Sequence, residues 1–145
     1  MRSTTILEYM VRDHGKLIKL LTDIEKNLNN DIVHLMRIFD TFEWNLEKHL
    51  FTEEKAIFTS YSPVNITKGY AMVPELIKEH NQILNQTRLL RKNLIAKKRT
   101  DFEGFKELLT KHKNFEEEHL YPRLDQELDD TQKKLILDRL EEIIS

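Results

Sequence analysis

The sequence predicts an all-α protein: an up-down-up-down four-helix bundle with a short C-terminal fifth helix. Three observations carry that prediction. The chain has only three Gly and three Pro in 145 residues, so few positions can break a helix. Four stretches of roughly 20 to 28 residues repeat apolar side chains every three or four positions, the period of one helix face. Most of these stretches are joined by short polar turns, which makes consecutive helices antiparallel neighbours.

The first helix is expected from about Thr5 to Leu28, with Leu7, Met10, His14, Leu17, Leu21, Ile24 and Leu28 on one stripe. "NND" at 29–31 turns the chain, and Asp31 is placed to cap the next helix by accepting from free N–H groups of its first turn. The second helix carries Leu35, Phe39, Phe42, Leu46, His49, Glu53 and Ile57 on one face. "TSYSPVNITKG" at 59–69 is the longest break and is read as the crossover between halves. The third helix is expected to begin near Val73–Pro74, because proline suits a first turn. Its stripe is Val73, Leu76, His80, Ile83, Thr87, Leu90 and Leu94.

"KKRTD" at 97–101 makes the next turn. The fourth helix reads Phe102, Phe105, Leu109, His112, Glu116 and Leu120, with Pro122 close to its end. A fifth helix, about 130–144, carries Leu135, Leu137, Leu140, Ile143 and Ile144 and is expected to cap the bundle. No linker or low-complexity segment divides the chain, so residues 1–145 are read as one domain.

Composition narrows the function classes. A net charge of −2 with 33 % charged residues describes an ordinary solvated surface without a footprint for nucleic acid. The one basic cluster, "RKNLIAKKR" at 91–99, falls where a helix ends and its dipole favours positive charge. With no cysteine, disulfides, thiolate metal sites and cysteine nucleophiles are excluded. No apolar run approaches the ~18 residues of a membrane span, and the N-terminus lacks the apolar core of a signal peptide. A cytoplasmic protein with no membrane or nucleic-acid partner is expected, its oligomeric state left open.

One His-x-x-x-Glu pair, His49 with Glu53, is within chance. The sequence repeats it. A shift of 63 residues carries Phe39, Phe42, Leu46, His49, Glu53 and Ile57 onto Phe102, Phe105, Leu109, His112, Glu116 and Leu120. Phe58 then meets Tyr121. A shift of 66 carries Met10, Asp13, His14 and Leu17 onto Leu76, Glu79, His80 and Ile83. The chain thus reads as two related helical hairpins, each supplying one His from its first helix and a His-x-x-x-Glu pair from its second. Residues four apart lie one above the other on a helix. His14, His49, Glu53, His80, His112 and Glu116 should therefore meet at one level inside the bundle. Six such groups buried without partners would cost kilocalories each. Two divalent cations, which bind neutral imidazoles and ionised carboxylates together, resolve that cost.

Neighbouring polar residues are read more plainly. Asp13, Glu54, Glu79 and Glu117 each point about 100° away from the ligand beside them and are read as solvated ahead of the alternative, that each supports a ligand histidine. His34 lies about 22 Å along the helix from His49 and is a surface residue. His119 is weighed as an entrance or supporting residue and left outside the ligand set. Tyr121 is read as helix-end packing ahead of the alternative, that it lines the metal cavity, and Trp44 as a core or interface residue.

The segments "DHGKL", "HLFTEE", "EHNQIL" and "HKNFEEEHLYP" resemble the hemerythrin-like, or HHE cation-binding, family over essentially the whole chain. The resemblance implies a non-haem centre of two iron ions per chain, bridged by two carboxylates and an oxo or hydroxo group. His14, His49, His80 and His112 would be terminal ligands, and Glu53 and Glu116 the bridges. Manganese or zinc also suits these donors. In oxygen carriers of the family the last carboxylate sits five residues after its histidine, which would select Glu117; the internal repeat selects Glu116. Those carriers also have a fifth histidine one turn from the one on helix three, where this chain has Leu76 and Leu84. The set resembles the four-His, two-Glu type found in bacterial iron-sulfur repair proteins, which usually add a cysteine-bearing extension. The function implied is binding or sensing of a small diatomic or oxidant (O2, NO or peroxide) in stress defence. Alternatives are an enzyme of iron-centre repair or of NO or peroxide reduction, supplied by an electron donor, and an iron-storage or metal-stabilised interaction module.

Overall fold

The computed structural model describes residues 5–58, 68–98 and 100–144. Helix α1 spans Ile6–Lys26 and α2 spans Ile32–Thr52, followed by a π-helical stretch, Glu53–Ile57. After the described residues resume, α3 spans Lys68–Ile95 and α4 spans Phe102–Phe115. A second π-helical stretch, Glu116–Leu120, leads into α5, Tyr121–Glu127, and α6 covers Asp130–Ile144. The described residues form no strand, and the helical bundle expected from the apolar stripes is what they build.

Local signals set the helix ends. Thr5 Oγ1 accepts from the Glu8 N–H at 3.0 Å, and Asp31 accepts from the His34 N–H at 3.3 Å. Each such cap is worth about 1 kcal/mol. Helix α3 ends on Lys97, which takes φ 57 while the Lys98 N–H reaches back to the Asn93 carbonyl. That left-handed residue stops the helix inside the basic cluster.

One element expectation needs correction. Helix α3 begins at Lys68, five residues or more ahead of the expected start, and Pro74 lies inside it. Pro74 is exposed; its ring fixes φ near the helical value, and its missing N–H costs the helix one bond. The expected crossover at 59–69 falls mainly on 59–67, outside the described residues. Pro122 lies close to the end of the fourth helix, as expected, two residues beyond Leu120. It sits in the first turn of α5, where a proline is tolerated.

On α6 the buried residues are Ile136 and Leu140, while Leu135 is 56 % exposed. Helices α5 and α6 close one end of the bundle. The Asp125 carboxylate accepts from the Ile6 and Leu7 N–H groups, each at 3.2 Å, and Tyr9 donates to the Leu140 carbonyl. Trp44, expected in a core or interface, is 68 % exposed on α2.

The apolar core is divided in two. One cluster gathers Met10, Ile57, Leu76, Leu120 and Leu124 with the α6 residues. The other gathers Leu17, Phe42, Leu46, Ile83, Phe105 and Leu109 toward the far end. Burying each such side chain is worth about 1.5–3 kcal/mol. Along every long helix the boundary falls at the polar residues: His14 lies between Met10 and Leu17, and His80 between Leu76 and Ile83. Burial of the surrounding hydrocarbon thus forces a layer of imidazoles and carboxylates into the interior.

Candidate metal centre

All six sequence-predicted residues meet in this layer. His14, His49, His80 and His112 are at most 4 % exposed, and Glu53 and Glu116 are fully buried. Glu53 Oε1 lies 3.2 Å from His49 Nε2 and 3.3 Å from His80 Nε2. Glu116 Oε1 lies 3.2 Å from His112 Nε2 and 3.3 Å from His14 Nε2. Each carboxylate therefore touches an imidazole from both hairpins, and the two sets of distances are related as the repeats are. The imidazoles pair within each hairpin, with ring centroids 4.6 Å apart for His14 and His49 and 5.0 Å for His80 and His112.

Two convergent groups result, each with its ligand atoms within 4.8 Å of one another: Glu53, His80, His112 and Glu116; and His14, His49 and Glu116. The residues present fit a metal pair. His49 Nε2, Glu53 Oε1, His80 Nε2, His112 Nε2 and Glu116 Oε2 are buried without an aligned hydrogen-bond partner. Orphaned buried atoms cost about 1–3 kcal/mol each. A cation at each group would take up the inward-facing lone pairs, and imidazole nitrogen with carboxylate oxygen suits iron, manganese or zinc.

On the outer side of each ring the solvated reading gives way to the alternative, a carboxylate supporting the histidine. His14 Nδ1 meets Glu117 Oε2 at 2.7 Å, His49 Nδ1 meets Asp13 Oδ2 at 2.5 Å, His80 Nδ1 meets Glu54 Oε1 at 3.2 Å and His112 Nδ1 meets Glu79 Oε1 at 2.6 Å. The four acids expected in solvent instead each accept from a ring on a neighbouring helix. That bond holds Nδ1 as the protonated nitrogen and turns the Nε2 lone pair inward. Their exposure is only partial, from 11 % for Asp13 to 36 % for Glu54. Replacing Asp13 with Asn or Glu117 with Gln should weaken metal affinity about 10–100-fold while leaving the metal content at saturation unchanged. Competition titration with a coloured chelator reads both quantities.

Electrostatics in the metal-free protein follow from this packing. Burial works against charge on His49 and His80, but Glu53 and Asp13 around the first, and Glu116 and Glu53 around the second, push each up to about 10. His112 is raised against burial by Glu116. Glu116 is held well below its ordinary range although burial opposes it, through its contact with Glu53 and the neighbouring His112.

The two π stretches complete the layer. Each starts on a buried glutamate of the layer, and the N–H groups of Phe58 and Tyr121 reach back five residues to the Glu53 and Glu116 carbonyls. In an α-helix the fifth residue points about 140° away; here it is brought over the glutamate. Such bulges recur at functional sites. The Tyr121 hydroxyl donates to Glu53 Oε2 at 2.8 Å, has Glu116 Oε1 at 3.2 Å, and lies 3.5 Å from His14 Nε2. Tyr121 is thus part of the centre, not helix-end packing. Phe58 stacks on His80, centroids 5.5 Å apart.

His34 and His119 lie outside the centre. Both are exposed, the latter with its ring against Phe115. Beside the imidazoles a cavity of about 10 Å³ is lined by Leu17, Leu46, Leu50 and Leu109, with His14, His49 and His112 among its walls.

Neither the search of curated proteins nor that of solved structures returned a match. The comparison with families did. Two helical hairpins that together direct four imidazoles and two carboxylates at one buried point are matched by the family model described as hemerythrin HHE cation binding domain, over residues 5–141, and the protein belongs to that family.

Proposed function

We propose that the chain holds two iron ions, one between His14 and His49 and one between His80 and His112, bridged by Glu53, Glu116 and an oxo or hydroxo group. The pair would bind or sense a small diatomic or oxidant (O2, NO or peroxide). The observation that carries this reading is that each buried glutamate touches Nε2 atoms from both hairpins, as a bridging carboxylate must. Two imidazoles and two carboxylate oxygens per ion leave coordination positions free for an added ligand. When bound, iron would supply those open positions and one-electron chemistry.

The protein's own residues would do the rest. The outer acids fix the imidazole tautomers, and Tyr121 orients the carboxylates. The leucine-lined cavity, about 10 Å³ in volume, has room for roughly one water-sized molecule, which favours a small uncharged ligand over an organic substrate. No helix among the described residues is long and apolar enough to cross a membrane, which is compatible with a cytoplasmic setting where an electron donor could re-reduce the metal.

The test is metal analysis with visible spectroscopy on anaerobically prepared protein. About two irons per chain and an absorption change on adding O2 or NO are expected. Well-metallated protein that shows no change would overturn the gas reading. Failure to load about two metals after reconstitution would overturn the site.

A further inference from the structure

The duplicated residues of the centre match in kind, Asp13 with Glu79 as two carboxylates, except at a single pair of positions, and that mismatch touches the proposed ligands. Under the 63-residue shift Glu53 and Glu116, His49 and His112, Glu54 and Glu117 are identical, but Phe58 corresponds to Tyr121. Both rings are carried to the centre by the same device, a π stretch that begins on a ligand glutamate. Both are buried, Phe58 at 5 % exposure and Tyr121 fully. Each lies against the histidine from the first helix of the other hairpin: Tyr121 beside His14 with centroids 5.7 Å apart, Phe58 beside His80 at 5.5 Å. At one half of the centre the ring ends in a hydroxyl within hydrogen-bond distance of both glutamates; at the other it ends in hydrogen.

We infer that Tyr121 makes the two metal positions inequivalent: the position held by His14 and His49 has a hydroxyl donor beside it, and the position held by His80 and His112 faces hydrocarbon. The inference rests on the two-metal reading above. Tyr121 acts here as a positioning residue. Its O–H occupies one lone pair of Glu53 Oε2 and competes for one of Glu116 Oε1, which lowers the electron donation those oxygens can make to a cation on that side. A water, hydroxide or diatomic ligand at the His14–His49 position would also have the phenol oxygen beside it, whereas one at the His80–His112 position would meet the Phe58 ring.

The test compares wild type, Tyr121→Phe, Phe58→Tyr and the double exchange. Each is reconstituted anaerobically with iron enriched in the Mössbauer-active isotope, and metal per chain is measured separately. Wild type should give two resolved ferrous doublets of equal area. Tyr121→Phe, with hydrocarbon on both sides, and Phe58→Tyr, with a hydroxyl on both, should each bring the doublets together. The double exchange should separate them again. If all four load about two irons and the doublets do not respond, the inference is overturned while the two-metal reading stands. If wild type itself does not load two irons, both fall, and the metal analysis alone reports it. Because Phe58→Tyr adds an atom and removes none, it remains informative should Tyr121→Phe fold poorly.

Discussion

Replacing either bridging glutamate with alanine is expected to cost metal at both positions, so that Glu116→Ala and Glu53→Ala each retain well under about two ions per chain after desalting, with the larger loss for Glu116. The reason is geometric. Glu53 and Glu116 each touch Nε2 atoms from both hairpins, so either removal takes one carboxylate donor from each position. Glu116 also belongs to both convergent groups, Glu53 to the one with His80 and His112, which makes Glu116 the harder of the two to lose. The effect should exceed that of the outer acids, whose loss costs affinity but no ligand. Metal analysis after reconstitution and desalting measures it, with far-ultraviolet circular dichroism to establish that the helices persist. A Glu116→Ala protein that retains about two ions would remove Glu116 from the ligand set.

Much of this arrangement was legible because an α-helix writes its buried face every three or four residues. The stripes of α1, α2 and α4 predict their buried residues well, and the repeat predicts the level at which six polar side chains converge. What escaped was what one helix does not encode. Asp13, Glu54, Glu79 and Glu117 point away from the centre on their own helices, and their partners are rings on neighbouring ones. Tyr121 and Phe58 are five residues beyond a glutamate, which α-helical phase places on the wrong face; only the π stretch brings them in. The matching of Phe58 with Tyr121 in the repeat was the available signal. In α6, three adjacent apolar residues at 135–137 leave the buried face ambiguous, and packing selects Ile136.

Removing the metal should reverse how stability depends on pH. In the metal-free protein His49 and His80 are raised from 6.5 to about 10, so each stabilises the fold as an imidazolium paired with carboxylates. A raised histidine contributes fully below its unfolded value and loses that contribution as pH rises through the folded one. The stabilisation therefore fades between about pH 6.5 and 10. Glu116, held well below 4.5, adds the opposite limb: its contribution is present above about 4.5 and lost as pH falls further. The metal-free protein should then melt highest between about pH 4.5 and 6.5.

Metal inverts the upper limb, because it binds neutral imidazole and must displace those protons, so its affinity rises with pH. With free metal about 1,000-fold above Kd, each ion adds about 4 kcal/mol. For a chain of this length two ions amount to a Tm gain of about 20 °C. Scanning calorimetry of chelator-treated and metal-loaded protein at pH 6 and pH 8 should find that gain larger at pH 8, with protons released as metal is added to weakly buffered protein. A gain that shrinks from pH 6 to pH 8 would mean that the buried imidazoles are not what the metal binds.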